Sequence, residues 1–342
     1  MTSPFPFFNL DPKLSDDVLN KMNLRDIFQL SLCSKRTRET IKTQTATLER
    51  RITATVYDDG SIFVTSSRVN PTIWKLYTKR DVQYPDFQVT STRLINGKMF
   101  TFVDNDPTMC ISESPVLDVL VLLEYLLDTF SAKLCIFQAH PINLECWEKF
   151  KESKMLHKTL HFWVEPGKVS HEDMRFLLED IDSEVYSLSC YPGKNFTYNS
   201  PLTQKTLSID YSRWFTAKNL MEMRCKQLAL DNSILTSGDL KEFVGRWYNG
   251  EDKKFEFLKV HRVEEEDYDM EMITRDLKTI PGTSKRDTSS RFQFILYSYV
   301  DYEEGLDMRR PTDGLLASIQ FVESREQKFF LFVVWHEPLD TD

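Results

Sequence analysis

Glycine is sparse in this chain, 10 residues in 342, and none of them falls in a P-loop, a GxGxxG turn or a GxSxG elbow. The backbone cradles that hold phosphates and the strained turn that presents a nucleophilic serine are therefore missing. An HExxH metal motif is missing too. The six cysteines, Cys33, Cys110, Cys135, Cys146, Cys190 and Cys225, include no CxxC pair. That excludes the usual zinc-ribbon and dithiol spacings and predicts buried thiols in a reducing compartment. His157 and His161 have HxxxH spacing but bracket the start of a strand, where their side chains stand too far apart to share a metal ion. Cys33 lies in an apolar helix and is expected to be buried and inert. No catalytic, cofactor-binding or metal-binding residue is assigned, and the chain is read as a non-enzyme.

An excess of positive charge is also missing. Against 52 Asp+Glu there are 43 Lys+Arg, a net charge of −9, whereas nucleic acids and anionic bilayers attract basic surfaces. Neither is an expected partner. The most apolar window, Val116 to Leu127, contains Asp118 and Glu124 and is shorter than the ~20 residues a bilayer span needs. The opening MTSPFPFFNLDP lacks the basic-then-apolar order of a secretory leader. The expected location is intracellular, cytoplasmic or nuclear. What is abundant is core-forming material: 41% hydrophobic and 13% aromatic residues argue for packed domains and against disorder.

The first forty-odd residues hold three helix starts in close succession. Ser15, Asn23 and Ser34 are the candidate caps, with Asp26 three residues after Asn23 in a capping-box-like arrangement. In the middle helix Leu24, Ile27, Phe28, Leu30, Leu32 and Cys33 spread over more than one stripe. A three-helix segment this short cannot cover two apolar faces alone, so either the rest of the chain or a second protein must cover one of them. The run Leu10, Pro12, Leu14, Val18, Leu19, then Leu24-Arg25-Asp26, then LSLCSKRTR resembles an F-box, especially those of the large nematode-type families with an F-box-associated domain behind them. It departs from the family pattern at Asp11, between Leu10 and Pro12, and at Thr37, where an aromatic often stands. The resemblance implies that Leu10, Pro12, Leu14, Val18, Leu19, Leu24, Ile27, Phe28, Leu30, Leu32 and Lys35 dock on a Skp-type adaptor, and through it on a cullin. The chain would then be the substrate-recognition subunit of a ubiquitin ligase with an unknown protein target. The competing expectation is an interaction protein whose three helices only cap its own fold.

Beyond these helices the pattern alternates. Ile52 to Tyr57 and Ser61 to Thr65 flank Asp58-Asp59-Gly60, and Asn96-Gly97 joins Arg93–Ile95 to Lys98–Val103, two predicted hairpins. Ser114-Pro115 opens a helix. Short apolar strands then recur around Leu134, Leu160, Leu188, Leu207, Leu228 and Leu258, at steps of 26, 28, 19, 21 and 30 residues. Capped apolar stripes follow at Asn143, Ser170, Thr216 and Thr236, and those of Ser170 and Thr236 superpose without a gap. The alternation predicts an irregular leucine-rich-repeat-like α/β solenoid, with an ordinary mixed α/β sheet as the alternative. Leu228, Leu230 and Asn232 fall one residue short of the repeat consensus, so no asparagine ladder is expected. DLKEFVGRWYNG followed by FEFLKV resembles the F-box-associated type 2 domain. Tyr191, Tyr211, Trp214 and Asn232 lie just beyond strand leucines and are the candidate target contacts. Predicted strands at Phe292–Val300, Ala317–Val322 and Lys328–Trp335 close the chain. The expected class is α+β, divided into an F-box (1–48), a small antiparallel β module (49–112), the solenoid (113–263), and an acidic loop with carboxy-terminal strands (264–342).

Overall fold

In the computed structural model, which describes residues 11–45, 51–57, 61–66, 69–77, 89–103, 106–140, 149, 152, 159–181, 183–262, 268–282, 304–324 and 327–335, side-chain caps set the first three helices. Helix α1 (Pro12–Lys21) starts earlier than Ser15: Asp11 is its N-cap and accepts from the Lys13 N–H at 2.9 Å. Proline is tolerated in a first turn, where its missing N–H is no loss, so the helix begins at Pro12 and Ser15 is buried within it. Asn23 caps α2 (Leu24–Ser31), accepting from the Asp26 N–H at 2.8 Å. Ser34 caps α3 (Lys35–Thr45) through the Thr37 N–H at 3.0 Å, and its hydroxyl meets that of buried Thr37 at 2.7 Å. Both departures from the F-box pattern, Asp11 and Thr37, thus take part in capping.

The chain divides into two compact units, 1–163 and 164–342. In the first, strands β1 (Arg51–Val56), β2 (Ser61–Ser66), β3 (Val69–Tyr77), β4 (Val89–Ile95), β5 (Lys98–Val103), β6 (Asp106–Ile111) and β7 (Lys133–Ala139) run side by side in the order β7-β1-β2-β3-β6-β5-β4. The β4–β5 turn is the predicted Asn96-Gly97, with φ of 44° and 83°, the left-handed pair a two-residue hairpin requires. The β1–β2 hairpin forms as well, its turn residues 58–60 lying outside the described residues. The expectation of a purely antiparallel module is corrected. β3 pairs with β6 in parallel because the β4–β5 hairpin intervenes between them in sequence. Helix α4 (Pro115–Thr129) packs on β1, β2 and β3, and β7 pairs in parallel with β1, so both belong to this sheet and not to a repeating stack.

Strand β8 (His161–Lys168) crosses from the first unit into the second. There β9 (Val185–Tyr191), β10 (Thr206–Ile209), β11 (Gln227–Ser233) and β12 (Phe257–Arg262) lie parallel and adjacent in chain order. Helices α5 (His171–Glu179), α6 (Ala217–Glu222) and α7 (Ser237–Tyr248) start at Ser170, Thr216 and Thr236, each closed by a two-way capping box. The predicted helix at Asn143 falls almost wholly outside the described residues, as does the strand at Phe292–Val300. A short helix, α8 (Met270–Thr274), and four antiparallel strands complete the unit: β13 (Thr279–Pro281), β14 (Leu306–Arg309), β15 (Leu316–Ser324) and β16 (Gln327–Trp335), the last pairing with β12. Tyr186, Leu188, Leu207, Ile209, Leu228, Leu230, Leu258 and Val260 are buried at alternate strand positions. The class is α+β.

Candidate functional site

Helix α2 uses its i, i+3, i+4, i+7 stripe internally. Leu24, Ile27, Phe28 and Ser31 are buried, and Phe28 meets the rings of Trp74 at 5.8 Å and Tyr125 at 5.9 Å edge-on, with Phe102 at 6.3 Å. The Ser31 hydroxyl lies 2.6 Å from the Phe28 carbonyl and 3.0 Å from the Tyr125 hydroxyl. Helix α3 is fastened alongside: the Arg38 guanidinium sits 4.1 Å above the Tyr125 ring and binds Thr129 and Asp128 on α4. The adaptor set read from the sequence therefore mixes two faces, and this corrects it. Leu19, Leu24, Ile27 and Phe28 belong to the chain's own core. Leu14 is 52% exposed, Val18, Leu30 and Leu32 are half-buried, and Lys35 is exposed. Leu10 and the side chain of Pro12 lie outside the described residues. Cys33 is exposed rather than buried, because it follows the last turn of α2, beyond the stripe that faces the sheet.

The four aromatic and amide candidates of the second unit separate in the same way. Tyr191 and Tyr211 are each 41% exposed, with ring centroids 5.5 Å apart. Trp214 is core, packed edge-on against Phe196 at 5.3 Å and Tyr198 at 6.0 Å. Asn232, at φ 57°, donates from its side-chain amide to the Asp210 carbonyl at 2.6 Å. That bond ties one strand end to the preceding one, and a single such bond is not an asparagine ladder.

Beside the tyrosines the strand ends carry charge that a sequence scan for catalytic motifs passes over. Burial raises the Asp210 carboxyl above the usual range, and the neighbouring Asp231 raises it further, while a hydrogen bond from Ser189 and the Lys259 charge oppose the rise. Lys259 pairs with Asp231 at 3.8 Å and lies 4.2 Å over the Phe329 ring. Burial also lowers His261. The Cys190 and Cys225 thiols are pushed up to about 12 by burial, which leaves neither a nucleophile near neutral pH. His161 is buried with its ring stacked on Trp163, while His157 lies outside the described residues. No group of three metal-ligating side chains occurs among the described residues. No helix among them is long and apolar enough to cross a membrane.

Residues 7–46, which span α1 to α3, match the F-box domain family, and residues 195–260, from the approach to β10 into β12, match the F-box associated family. The chain thus carries the two modules that define nematode-type F-box proteins with an F-box-associated region. Over 152 residues it is 24% identical to an uncharacterized protein of Caenorhabditis elegans, covering 42% of this chain and 34% of the relative. The chain spans about a third of the length of that relative. No solved structure matches it.

Proposed function

We propose that this chain is the substrate-recognition subunit of an SCF-type ubiquitin ligase, holding a Skp-type adaptor and cullin with its F-box and a protein target with its second unit. Its contribution is proximity: a target held beside a loaded transfer enzyme reacts at a high effective concentration, with no bond made or broken by this chain. The observation that carries the reading is that the F-box match coincides with three helices fixed to their own sheet by Leu24, Ile27 and Phe28. Leu14, Val18, Leu30 and Leu32 remain partly open on the same helices. An adaptor would cover the second set and leave the first alone. The in-order parallel strands β9 to β12 support a leucine-rich-repeat-like stack as the target-holding body. Tyr191 and Tyr211 are its exposed aromatic contacts, and the reading locates the protein inside the cell.

The test is recovery of a Skp-type adaptor by the wild-type chain and by Leu14→Arg with Leu32→Arg. Loss of the adaptor with an unchanged melting temperature supports docking through this face, and equal recovery counts against it. The burial of Phe28 against Trp74, Phe102 and Tyr125 favours a second reading, in which the helices only cap the chain's own sheet. That reading expects no adaptor from either protein.

A further inference from the structure

Helices α2 and α3 meet at a tight corner, residues 32–34, flanked by half-buried Leu30 and Leu32 and by exposed Lys35. One residue of α4 reaches both sides of that corner from within. Tyr125 is 3% exposed and stands 94 residues from Ser31 in sequence. The Ser31 hydroxyl has a single proton, directed at the Phe28 carbonyl at 2.6 Å, so it accepts from the Tyr125 hydroxyl at 3.0 Å. The Tyr125 ring also meets Phe28 edge-on at 5.9 Å and lies 4.1 Å beneath the Arg38 guanidinium of α3.

Ser31 is the last residue of α2, and the end of a helix frays because its final carbonyls lack partners within it. Here the corner is closed by the Leu32 N–H on the Phe28 carbonyl and the Cys33 N–H on the Leu30 carbonyl, each at 3.2 Å. On the far side Arg38, one turn beyond Lys35, donates to Thr129 at 3.2 Å and to Asp128 at 3.0 Å. Tyr125, Asp128 and Thr129 all belong to α4, outside the 7–46 stretch that matches the F-box family. Leaving the Tyr125 hydroxyl unpaired in this core is costly, so the corner is drawn to the placement that satisfies it.

We propose that Tyr125 is a positioning residue for the adaptor: its hydroxyl on Ser31 and its ring beneath Arg38 fix the α2–α3 corner that presents Leu30, Leu32 and Lys35. The module competent to dock an adaptor then consists of α1 to α3 together with α4. The inference rests on the receptor reading and adds to it a residue that acts on the docking face through Ser31 and Arg38.

The full chain is titrated calorimetrically with a purified Skp-type adaptor, well below the melting temperature of every variant. Tyr125→Phe and Ser31→Ala are each expected to weaken binding roughly three- to tenfold. The two together are expected to weaken it no more than either alone, because they break one bond. Ile62→Val, which trims a buried methyl group on β2, lowers the melting temperature and is expected to leave the affinity at the wild-type value. Hydrogen exchange of the chain without adaptor gives a second readout: the Leu32 and Cys33 amides are expected to exchange faster in Tyr125→Phe while those of α4 stay protected. Wild-type affinity in Tyr125→Phe, additive losses, equal weakening by Ile62→Val, or unchanged exchange at Leu32 and Cys33 would overturn the proposal. A wild type that takes up no adaptor overturns the receptor reading and this proposal with it, whereas unchanged affinity in Tyr125→Phe beside a binding wild type overturns the proposal alone.

Discussion

Phe28 shows how much one side chain decides. Its ring is enclosed by Trp74, Phe102 and Tyr125, so Phe28→Ala removes a full aromatic contact set and leaves a cavity. A loss of about 3–5 kcal/mol in urea unfolding is expected. Leu32→Arg, on the half-open side of the same segment, is expected to change stability by less than about 1 kcal/mol. Asp210 makes a pH prediction. Its carboxyl is raised in the folded chain, so folding binds the proton more tightly than the unfolded chain does, and the charged form is the strained one. The native state therefore gains stability as pH falls through the raised value and loses it as pH rises. Asp210→Asn is expected to melt higher than wild type at pH 7, with the difference vanishing below about pH 4, the ordinary carboxylate range. Thermal melts at both pH values read this directly.

At the scale of elements, local chemistry was legible where it is self-contained. The Asn96-Gly97 turn, the caps at Asn23, Ser34, Ser170, Thr216 and Thr236, and the apolar stripes behind them are short-range patterns that need no knowledge of the fold. Gly97→Ala forces a Cβ into a φ of 83° and is expected to cost about 1 kcal/mol, with Thr236→Ala costing a similar amount through the lost cap. Strands β3 and β6 were harder to see, since Pro71 and Pro107 interrupt their patterns and proline usually demotes a run to an edge or a loop. Their parallel pairing is a long-range choice that no local window contains. Asn232 sits between these cases. Its spacing falls one residue short of the repeat consensus, while its left-handed backbone and its bond to the Asp210 carbonyl are visible only in the folded chain.

For the whole molecule, the accessible face of the amino-terminal helices gives a readout that joins structure to function. Cys33 is exposed, whereas Cys110, Cys190 and Cys225 are buried. Thiol labelling of the native chain is expected to modify Cys33 within minutes and the buried three only on unfolding. A bound Skp-type adaptor is expected to slow the labelling of Cys33 without touching the others, and unchanged labelling in the presence of excess adaptor would place the adaptor elsewhere. By itself the order of residues determined the three capped helices, their family resemblance, the repeating strand-and-helix texture and the lack of catalytic motifs. All of these are short-range or compositional properties that the chain carries into any fold. Only the tertiary structure decided which apolar face of α2 is closed, that Trp214 is core, and that the Asn232 amide reaches the Asp210 carbonyl. Burial and pairing belong to two surfaces at once, and residues far apart in sequence meet only when the chain has folded.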